Sequence, residues 1–167
     1  MRRTIFTLAV VMLLPLQLAA GTVGTKPRHE ITQLNDVQSI YLQHCGGCHG
    51  VQGISAPREV PDLRGQVGSF LCTADGRAYL VRLPNVALAP VSDQMLADMM
   101  NFIVFDLGGP RSVAPQAPAY TAAEVAQLRK RPLTDTGLAE YRNRIVKTLI
   151  ERCGAPTSLN TYSVALQ

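Results

Sequence analysis

The sequence lacks the features that are typical of several large classes of proteins. Its formal net charge is only +4 over 167 residues, which argues against nucleic acid or an anionic membrane as its main partner. It contains no internal repeat and no low-complexity tract. Its uncharged apolar run, residues 5–18, is shorter than the roughly 18 apolar residues that a membrane span requires. What is left is a small globular chain, long enough for one domain with a modest core.

The first twenty residues have the three-part layout of a secretory signal peptide. Arg2 and Arg3 precede the apolar run, and small residues follow it at positions 19–21. No cysteine lies near the expected cleavage point, which argues against a lipid anchor there. We therefore predict a cleaved signal peptide over residues 1–20 and export to the periplasm, with an uncleaved membrane anchor as the alternative. Cleavage lowers the formal net charge from +4 to +2, because both arginines are removed.

The remaining charge is unevenly distributed along the chain. Residues 22–110 contain six Lys/Arg and eight Asp/Glu, whereas residues 111–167 contain eight and four. The C-terminal part is therefore basic and the preceding part slightly acidic. Such a run of basic residues is typical of a solvated helix face, and an electrostatic docking patch for an acidic partner is the alternative.

Cysteine and histidine are scarce, yet three of these residues lie within one stretch of five. The sequence has four cysteines and three histidines, and the segment "CGGCH" contains Cys45, Cys48 and His49. A pair of thiols at this spacing has three interpretations in an exported protein. It is a redox-active dithiol, half of a zinc site completed by Cys72 and Cys153 or by a histidine, or the attachment site of a covalent haem.

The position of His49 favours haem attachment. Two thiols at this spacing can bond to the two vinyl groups along one edge of a haem, which holds the next imidazole under the iron. A dithiol exchange site does not need that histidine, and the βαβ pattern that usually surrounds one is missing. A zinc site would want a second close pair of ligands, but Cys72 and Cys153 are far apart in the sequence. We therefore predict one covalent haem c on Cys45 and Cys48, with His49 as an axial ligand of the iron.

Two helices are predicted around this motif. Apolar residues at helical spacing precede Cys45, and either Asn35 or Asp36 can cap that helix, which is expected to end at Cys45. A second apolar helix begins near Ser92 or Asp93 and is expected to end at positions 108–109, where two glycines follow one another.

The segment from about residue 33 to residue 108 resembles a class I c-type cytochrome. The resemblance is carried by "YLQHCGGCHG", by "PDLRG", and by "VSDQMLADMMNFI" before the glycine pair. It implies an all-α, cytochrome c-like helical domain around one covalently bound haem. It further implies an aromatic contact between the first and last helices, here Tyr41 and Phe102, and a proline carbonyl that accepts a hydrogen bond from the histidine ligand, here Pro61.

The chain departs from this family at the sixth ligand of the iron. Family members usually supply a methionine from the loop before the last helix, but "VRLPNVALAPVSD" has neither methionine nor histidine. Met95 is a poor candidate in the first turn of the helix, and Met99 and Met100 are expected to pack in the core. His29 would reach the iron only if the N-terminus folds across the haem. Arg82 is the nearest polar candidate in that loop, and it is either a partner of a haem propionate or a surface cation. Since none of these residues is a clear ligand, the sixth ligand stays unknown.

The composition changes after the haem domain, which we place at residues 21–109. Residues 110–120 are rich in proline and are predicted to form a stiff linker. Residues 121–154 are predicted to form a C-terminal helical extension, and residues 155–167 a tail. Thr121 and Glu124 have capping-box spacing, while Asp135 and Gly154 are expected to bound the second helix of the extension. The two remaining cysteines either pair in an oxidising compartment or stay free.

These expectations describe a periplasmic cytochrome that transfers single electrons to or from a redox protein or a dehydrogenase. We expect a non-catalytic carrier, or an electron-transfer subunit of a dehydrogenase, rather than an independent enzyme. One alternative is a five-coordinate haem protein that binds or senses small ligands or has weak peroxidase activity. The other is a zinc or structural module.

Overall fold

A computed structural model describes residues 34–55, 60–109, 112, 117–134 and 136–161. Within these ranges the chain is all-α and contains no strand. None of the helices in these ranges has the length and apolarity needed to cross a membrane. The predicted signal peptide and His29 lie outside the described residues. The helices are α1 (Asp36–Tyr41), α2 (Gly47–His49), α3 (Ala74–Arg82), α4 (Pro84–Ala87), α5 (Asp93–Asn101), α6 (Ala122–Arg129) and α7 (Leu138–Cys153).

The helix before the motif is longer than predicted. Asn35 caps α1 in a capping box with Gln38, which confirms one of the two predicted caps. The expectation that this helix ends at Cys45 is wrong: α1 continues through a π-helical turn, Leu42–Gly46, into α2. Gly50 then ends it with a φ of 72°, a conformation that an L side chain rarely adopts. The whole CGGCH segment is therefore helical, and the chain reverses only after its histidine.

The second predicted helix is confirmed at both ends. The Ser92 side chain caps α5 by accepting a hydrogen bond from the Met95 backbone N–H at 3.1 Å. After α5 the helix continues as a π-helical segment, Phe102–Leu107, with Gly108 as its C-cap. The α5 helix packs against α1, and its apolar side chains form the centre of the core.

Three further helical segments lie between the motif and α5. A 3₁₀ helix, Val67–Cys72, leads into α3, which the Thr73 side chain caps. The segment before α5 was predicted to be a loop, but it contains α4, with Pro84 in its first turn. Proline suits that position because the first N–H groups of a helix have no intrahelical partner.

The two C-terminal helices pack into the same core as the preceding ones, with Val125, Ile145, Val146 and Leu149 buried in one hydrophobic cluster. Thr121 caps α6 as predicted. Glu124 does not complete the capping box, because its carboxylate forms a two-pronged ion pair with Arg77 at 2.6 and 2.7 Å.

The ends of α7 are set by glycines. Gly137 is its N-cap, with a φ of 74°, and Gly154 ends it with a φ of 64°. The C-terminal glycine confirms the predicted stop. Asp135, the predicted N-cap, lies outside the described residues, and Gly137 has no side chain that could accept a capping hydrogen bond.

A disulfide between Cys72 and Cys153 joins the 3₁₀ helix before α3 to the last residue of α7. The sequence left this pairing open, because spacing does not show which cysteines approach each other. The two cysteines are 81 residues apart in the sequence, and their Cα atoms are 6.4 Å apart. The bridge fixes α7 against the part of the fold that follows the CGGCH segment.

Candidate functional site

The structure keeps Cys45 and Cys48 as free thiols on the same helical segment. Cys45 is half-buried, with its Sγ 4.0 Å from the Met99 Sδ, whereas Cys48 is exposed. Burial raises the pKa of the Cys45 thiol, and the neighbouring Cys48 thiol raises it further. A dithiol exchange site needs the opposite shift, because the thiolate is the nucleophile. The environment of Cys45 therefore argues against the redox-dithiol interpretation.

His49 and Pro61 are in direct contact. The His49 Nδ1 lies 3.0 Å from the Pro61 carbonyl oxygen, as the resemblance implied. The carbonyl accepts only when the proton is on Nδ1, and that tautomer leaves Nε2 with a lone pair for a metal. Burial lowers the pKa of His49, while the Pro61 carbonyl and the Asp62 carboxylate raise it less. The imidazole is therefore held neutral and oriented, which is the form that ligates iron.

A partly open cavity of about 100 Å³ lies beside this pair, with Cys45, His49 and Pro61 in its wall. The rest of the wall is mostly apolar and comes chiefly from the 3₁₀ helix before α3, from α3 and α4, and from the π-helical segment after α5. Its main apolar contributors are Val67, Phe70, Leu80, Leu83, Val86 and Ile103. A mostly apolar wall with a few polar groups is the composition of small-molecule sites in general, although this cavity is smaller than most of them.

The residues present fit a covalent haem in two respects. A thiol and an oriented imidazole line the same cavity, so one group can meet both. The Tyr41 and Phe102 rings pack edge to face with centroids 5.5 Å apart. This contact holds the helix that carries the motif against the helix that begins with α5. A macrocycle is larger than this enclosed space, so part of it would lie outside the cavity.

The zinc alternative lacks ligands in the described part of the chain. No group of three or more His, Cys, Asp or Glu side chains is suitably placed to hold a metal ion there. Cys72 and Cys153, which would have completed such a site, are bonded to each other. A haem iron does not need such a group, because the porphyrin supplies four of its ligands.

Two of the residues considered from the sequence do not line the cavity. Met95 is half-buried in the first turn of α5, outside the cavity wall, whereas Met100 is in that wall. The Arg82 guanidinium donates from Nε to the Arg131 carbonyl oxygen at 2.6 Å, which places it at the contact between α3 and the segment after α6. Of the methionines in α5, the structure therefore brings Met100 to the cavity rather than Met95.

One polar residue of the cavity wall has no sequence signal that identifies it. Arg142, from α7, lines the cavity although only 4% of its surface is exposed, and its Nη1 donates to the Leu159 carbonyl oxygen at 3.0 Å. In the sequence it is one of several arginines in a basic stretch, and Arg144, two residues later, is exposed. Only the helical phase of α7 relative to the cavity distinguishes the two.

The geometry of this site is one of two thiols, an oriented neutral imidazole and an adjoining apolar cavity. Comparison with protein-family models, curated proteins and solved structures finds no match to this chain.

Proposed function

We propose that this chain is a class I-like monohaem c-type cytochrome of the periplasm that carries single electrons. The observation that supports the proposal best is the contact between His49 and Pro61 beside a half-buried Cys45 thiol and an apolar cavity. A dithiol exchange site does not require any of these contacts, whereas a covalently attached, axially ligated haem would use all of them. Cys45 and Cys48 would form the two thioethers, and His49 would be an axial ligand.

The haem, when bound, supplies an iron that can gain or lose one electron. The protein contributes the surroundings of that iron. The Pro61 carbonyl fixes the tautomer of His49 and increases the electron density on its ligating nitrogen. The mostly apolar wall would limit the contact of the iron with water. These properties suit a carrier whose partners are another periplasmic redox protein or a dehydrogenase.

The direct test is the mass and the visible spectrum of the protein after secretion through a haem-maturation pathway. We expect the mature chain to carry the added mass of one haem, retained after denaturation, and a spectrum that changes between the oxidised and reduced states. Cys45→Ala with Cys48→Ala is the matched control and should have only the mass of its residues. An unaltered chain with no added mass would refute the proposal.

A second candidate function is a haem protein whose iron binds small ligands. It is favoured by one observation: α4 and its flanking residues contribute Leu83 and Val86 to the cavity wall, and the described segment from 83 to 92 carries no methionine or histidine. A site without a strong sixth ligand leaves a position at which carbon monoxide can bind. A high-spin spectrum that shifts on addition of carbon monoxide supports this function, and an unresponsive low-spin spectrum contradicts it.

A further inference from the structure

One side of the candidate haem cavity is formed by a segment that packs weakly by itself. Residues 83–92, which we call the wall segment, contribute Leu83 and Val86 to the same cavity that His49 lines. None of the leucine or valine side chains of this segment is fully buried. The backbone hydrogen bonds that residues 86–91 donate stay within the segment. A segment with so few buried apolar side chains and such local hydrogen bonds opens readily unless another part of the fold holds it.

The end of the wall segment is held by Arg129, the last residue of α6. Its guanidinium donates to the carbonyl oxygens of Ala87, Ala89 and Val91 at 2.8, 2.6 and 2.9 Å. It also donates to the Asp93 carboxylate at 2.9 Å. The carbonyl groups at the end of a helix such as α4 have no intrahelical donor, and this guanidinium supplies one. One side chain thus joins the end of α4 to the start of α5.

The start of the wall segment is held by the residues that follow Arg129. The Arg82 Nε donates to the Arg131 carbonyl oxygen at 2.6 Å, directly before the wall segment begins. The Leu133 backbone N–H donates in return to the Arg82 carbonyl oxygen at 2.7 Å. Residues 129–133, which we call the tether, therefore hold the wall segment at both ends. The tether is anchored in its turn, because α6 packs on α3 and on α5.

The contacts of the tether are of a kind that can break and re-form. The wall segment contains no methionine, histidine or cysteine, so none of its side chains is of a type that would hold it in place by ligating the iron. Its closed position depends instead on polar contacts from the C-terminal extension. Individual hydrogen bonds of this kind contribute modestly to stability, so the segment can open without unfolding the core.

We infer that the tether regulates the entry of small ligands to the haem by holding the wall segment closed. The inference rests on the proposed function, because it requires a haem in this cavity. The ligands concerned are small neutral molecules that bind reduced iron, since an ion would lose its hydration on passing an apolar wall. Arg129 is then a positioning residue, which acts through the wall segment and does not itself line the cavity.

The test measures carbon monoxide binding to haem-bearing, secreted full-length proteins reduced with dithionite. Arg129→Ala removes all four contacts of the guanidinium. We expect the rates of carbon monoxide binding and release both to rise by roughly tenfold, because the closed state loses several hydrogen bonds. The equilibrium affinity should change little, since a barrier to access acts equally on both directions. Amide hydrogen exchange between residues 86 and 91 should be faster in the same variant, which reports the opening independently of the ligand.

Two further variants make the result specific to the tether. Glu124→Gln breaks the ion pair between α6 and Arg77 but removes no contact of Arg129. It controls for a general weakening of α6, and its binding and release rates should match those of the unaltered protein. Arg129→Lys keeps the positive charge but has only three donors for four acceptors. Its rates should lie between those of the unaltered protein and Arg129→Ala.

The outcomes separate the two proposals. An unaltered protein without haem refutes the proposed function and, with it, the role of the tether. Haem-bearing proteins that bind no carbon monoxide, or that bind it at the same rate with and without Arg129, refute the role of the tether alone. Equal acceleration in Arg129→Ala and Glu124→Gln refutes it too, because general loosening would then explain the rates. If Arg129→Ala is not secreted with haem, an Arg129→Lys protein with unaltered rates also overturns the inference.

Discussion

The His49 imidazole lies with its Nδ1 3.0 Å from the carbonyl oxygen of Pro61, twelve residues later in the chain. Two features of the local backbone make this contact. Gly50 reverses the chain directly after the helix, and the Leu63 and Arg64 N–H groups donate to the Gly53 carbonyl at 2.9 and 3.0 Å. The segment that contains Pro61 is thereby held next to the end of the helix that carries His49. A backbone acceptor thus sets the tautomer, and no side chain at position 61 needs to do so.

The first prediction concerns the pH dependence of the haem-free chain, Cys45→Ser with Cys48→Ser. Burial lowers the pKa of His49 below its ordinary value of 6.5, so the unfolded chain binds the proton more tightly. The stabilisation by neutral His49 is therefore fully present above pH 6.5 and is lost as the pH falls toward the lowered pKa of the folded chain. Urea unfolding as a function of pH measures it.

Replacing His49 by glutamine in that haem-free chain should remove this part of the acid sensitivity. His44→Gln, at an exposed position on the same helical segment, is the matched control. Equal acid sensitivity with and without His49 would contradict the prediction, since another group would then be responsible.

The elements around the motif could be predicted because their signals are local. Asn35 and Ser92 are caps recognised by residue type, and Gly154 is a stop of the same kind. The helical extent of the motif was not predictable, because the π-helical turn before Gly47 has no sequence signal of its own. Helix α3 was missed because its sequence, with a glycine in its first turn, has only a weak apolar face.

The motif residues of the candidate site were readable from the sequence, whereas the cavity wall was not. Cys45, Cys48 and His49 lie within five consecutive residues, so their spacing alone predicts the chemistry. Met100 and Arg142 reach the cavity through long-range packing of α5 and α7. Neither residue type distinguishes them from neighbours such as Met95 and Arg144, because burial depends on helical phase and on which helices pack together.

The second prediction concerns the hydroxyl of Tyr41, which donates to the Gly50 carbonyl oxygen at 2.7 Å. Tyr41→Phe keeps the edge-to-face contact with Phe102 and loses only this hydrogen bond. We expect a loss of about 1 kcal/mol in the free energy of unfolding at neutral pH. Phe102→Leu is the comparison and should cost about as much by removing the aromatic pair instead. Denaturant unfolding measures both, and an unchanged stability of Tyr41→Phe would contradict the role of the bond.

The same variant has a signature at alkaline pH. Burial raises the pKa of Tyr41 from 10.0 to about 12, so the folded chain favours the protonated phenol. The stabilisation of the folded chain by protonated Tyr41 is complete below pH 10.0 and is lost as the pH rises toward about 12. Tyr41→Phe should therefore lose less stability than the unaltered protein over this interval.

The third prediction concerns Arg129, whose guanidinium holds the segment between α4 and α5. It donates to the carbonyl oxygens of Ala87, Ala89 and Val91 at 2.8, 2.6 and 2.9 Å, and to the Asp93 carboxylate at 2.9 Å. Arg129→Ala leaves partly buried carbonyls without this donor, and we expect a loss of about 2 to 3 kcal/mol in the free energy of unfolding. Faster hydrogen exchange of amides between residues 87 and 93 should accompany the loss.

Lys130→Ala is the matched control for Arg129, since it removes an exposed cation one residue later in the chain. It should change the stability by less than about 0.5 kcal/mol. A similar loss in both variants would mean that general charge, rather than the contacts to the segment, is responsible.

The fourth prediction concerns the Cys72–Cys153 disulfide, which closes a loop with a sequence separation of 81 residues. Cys72→Ser with Cys153→Ser should lower the free energy of unfolding by about 4 kcal/mol, because the unfolded chain gains the entropy of that loop. Thermal unfolding of the double variant measures the loss. Alkylation of the unaltered protein without reductant provides the control, and labelling of either cysteine would contradict the bridge.

The fifth prediction separates two methionines of α5 as ligands of the iron. Met95 lies outside the cavity wall and Met100 within it, so only the second is placed to contact a bound haem. Met95→Leu should therefore leave the visible spectrum of both oxidation states unchanged, whereas Met100→Leu should alter the spectrum if a methionine ligates the iron at all. The two exchanges are matched in chemistry and both conserve side-chain volume, so packing costs should stay below about 1.5 kcal/mol in each. A spectrum altered by Met95→Leu and not by Met100→Leu would place the ligand in the first turn of α5 and contradict the arrangement of the cavity wall.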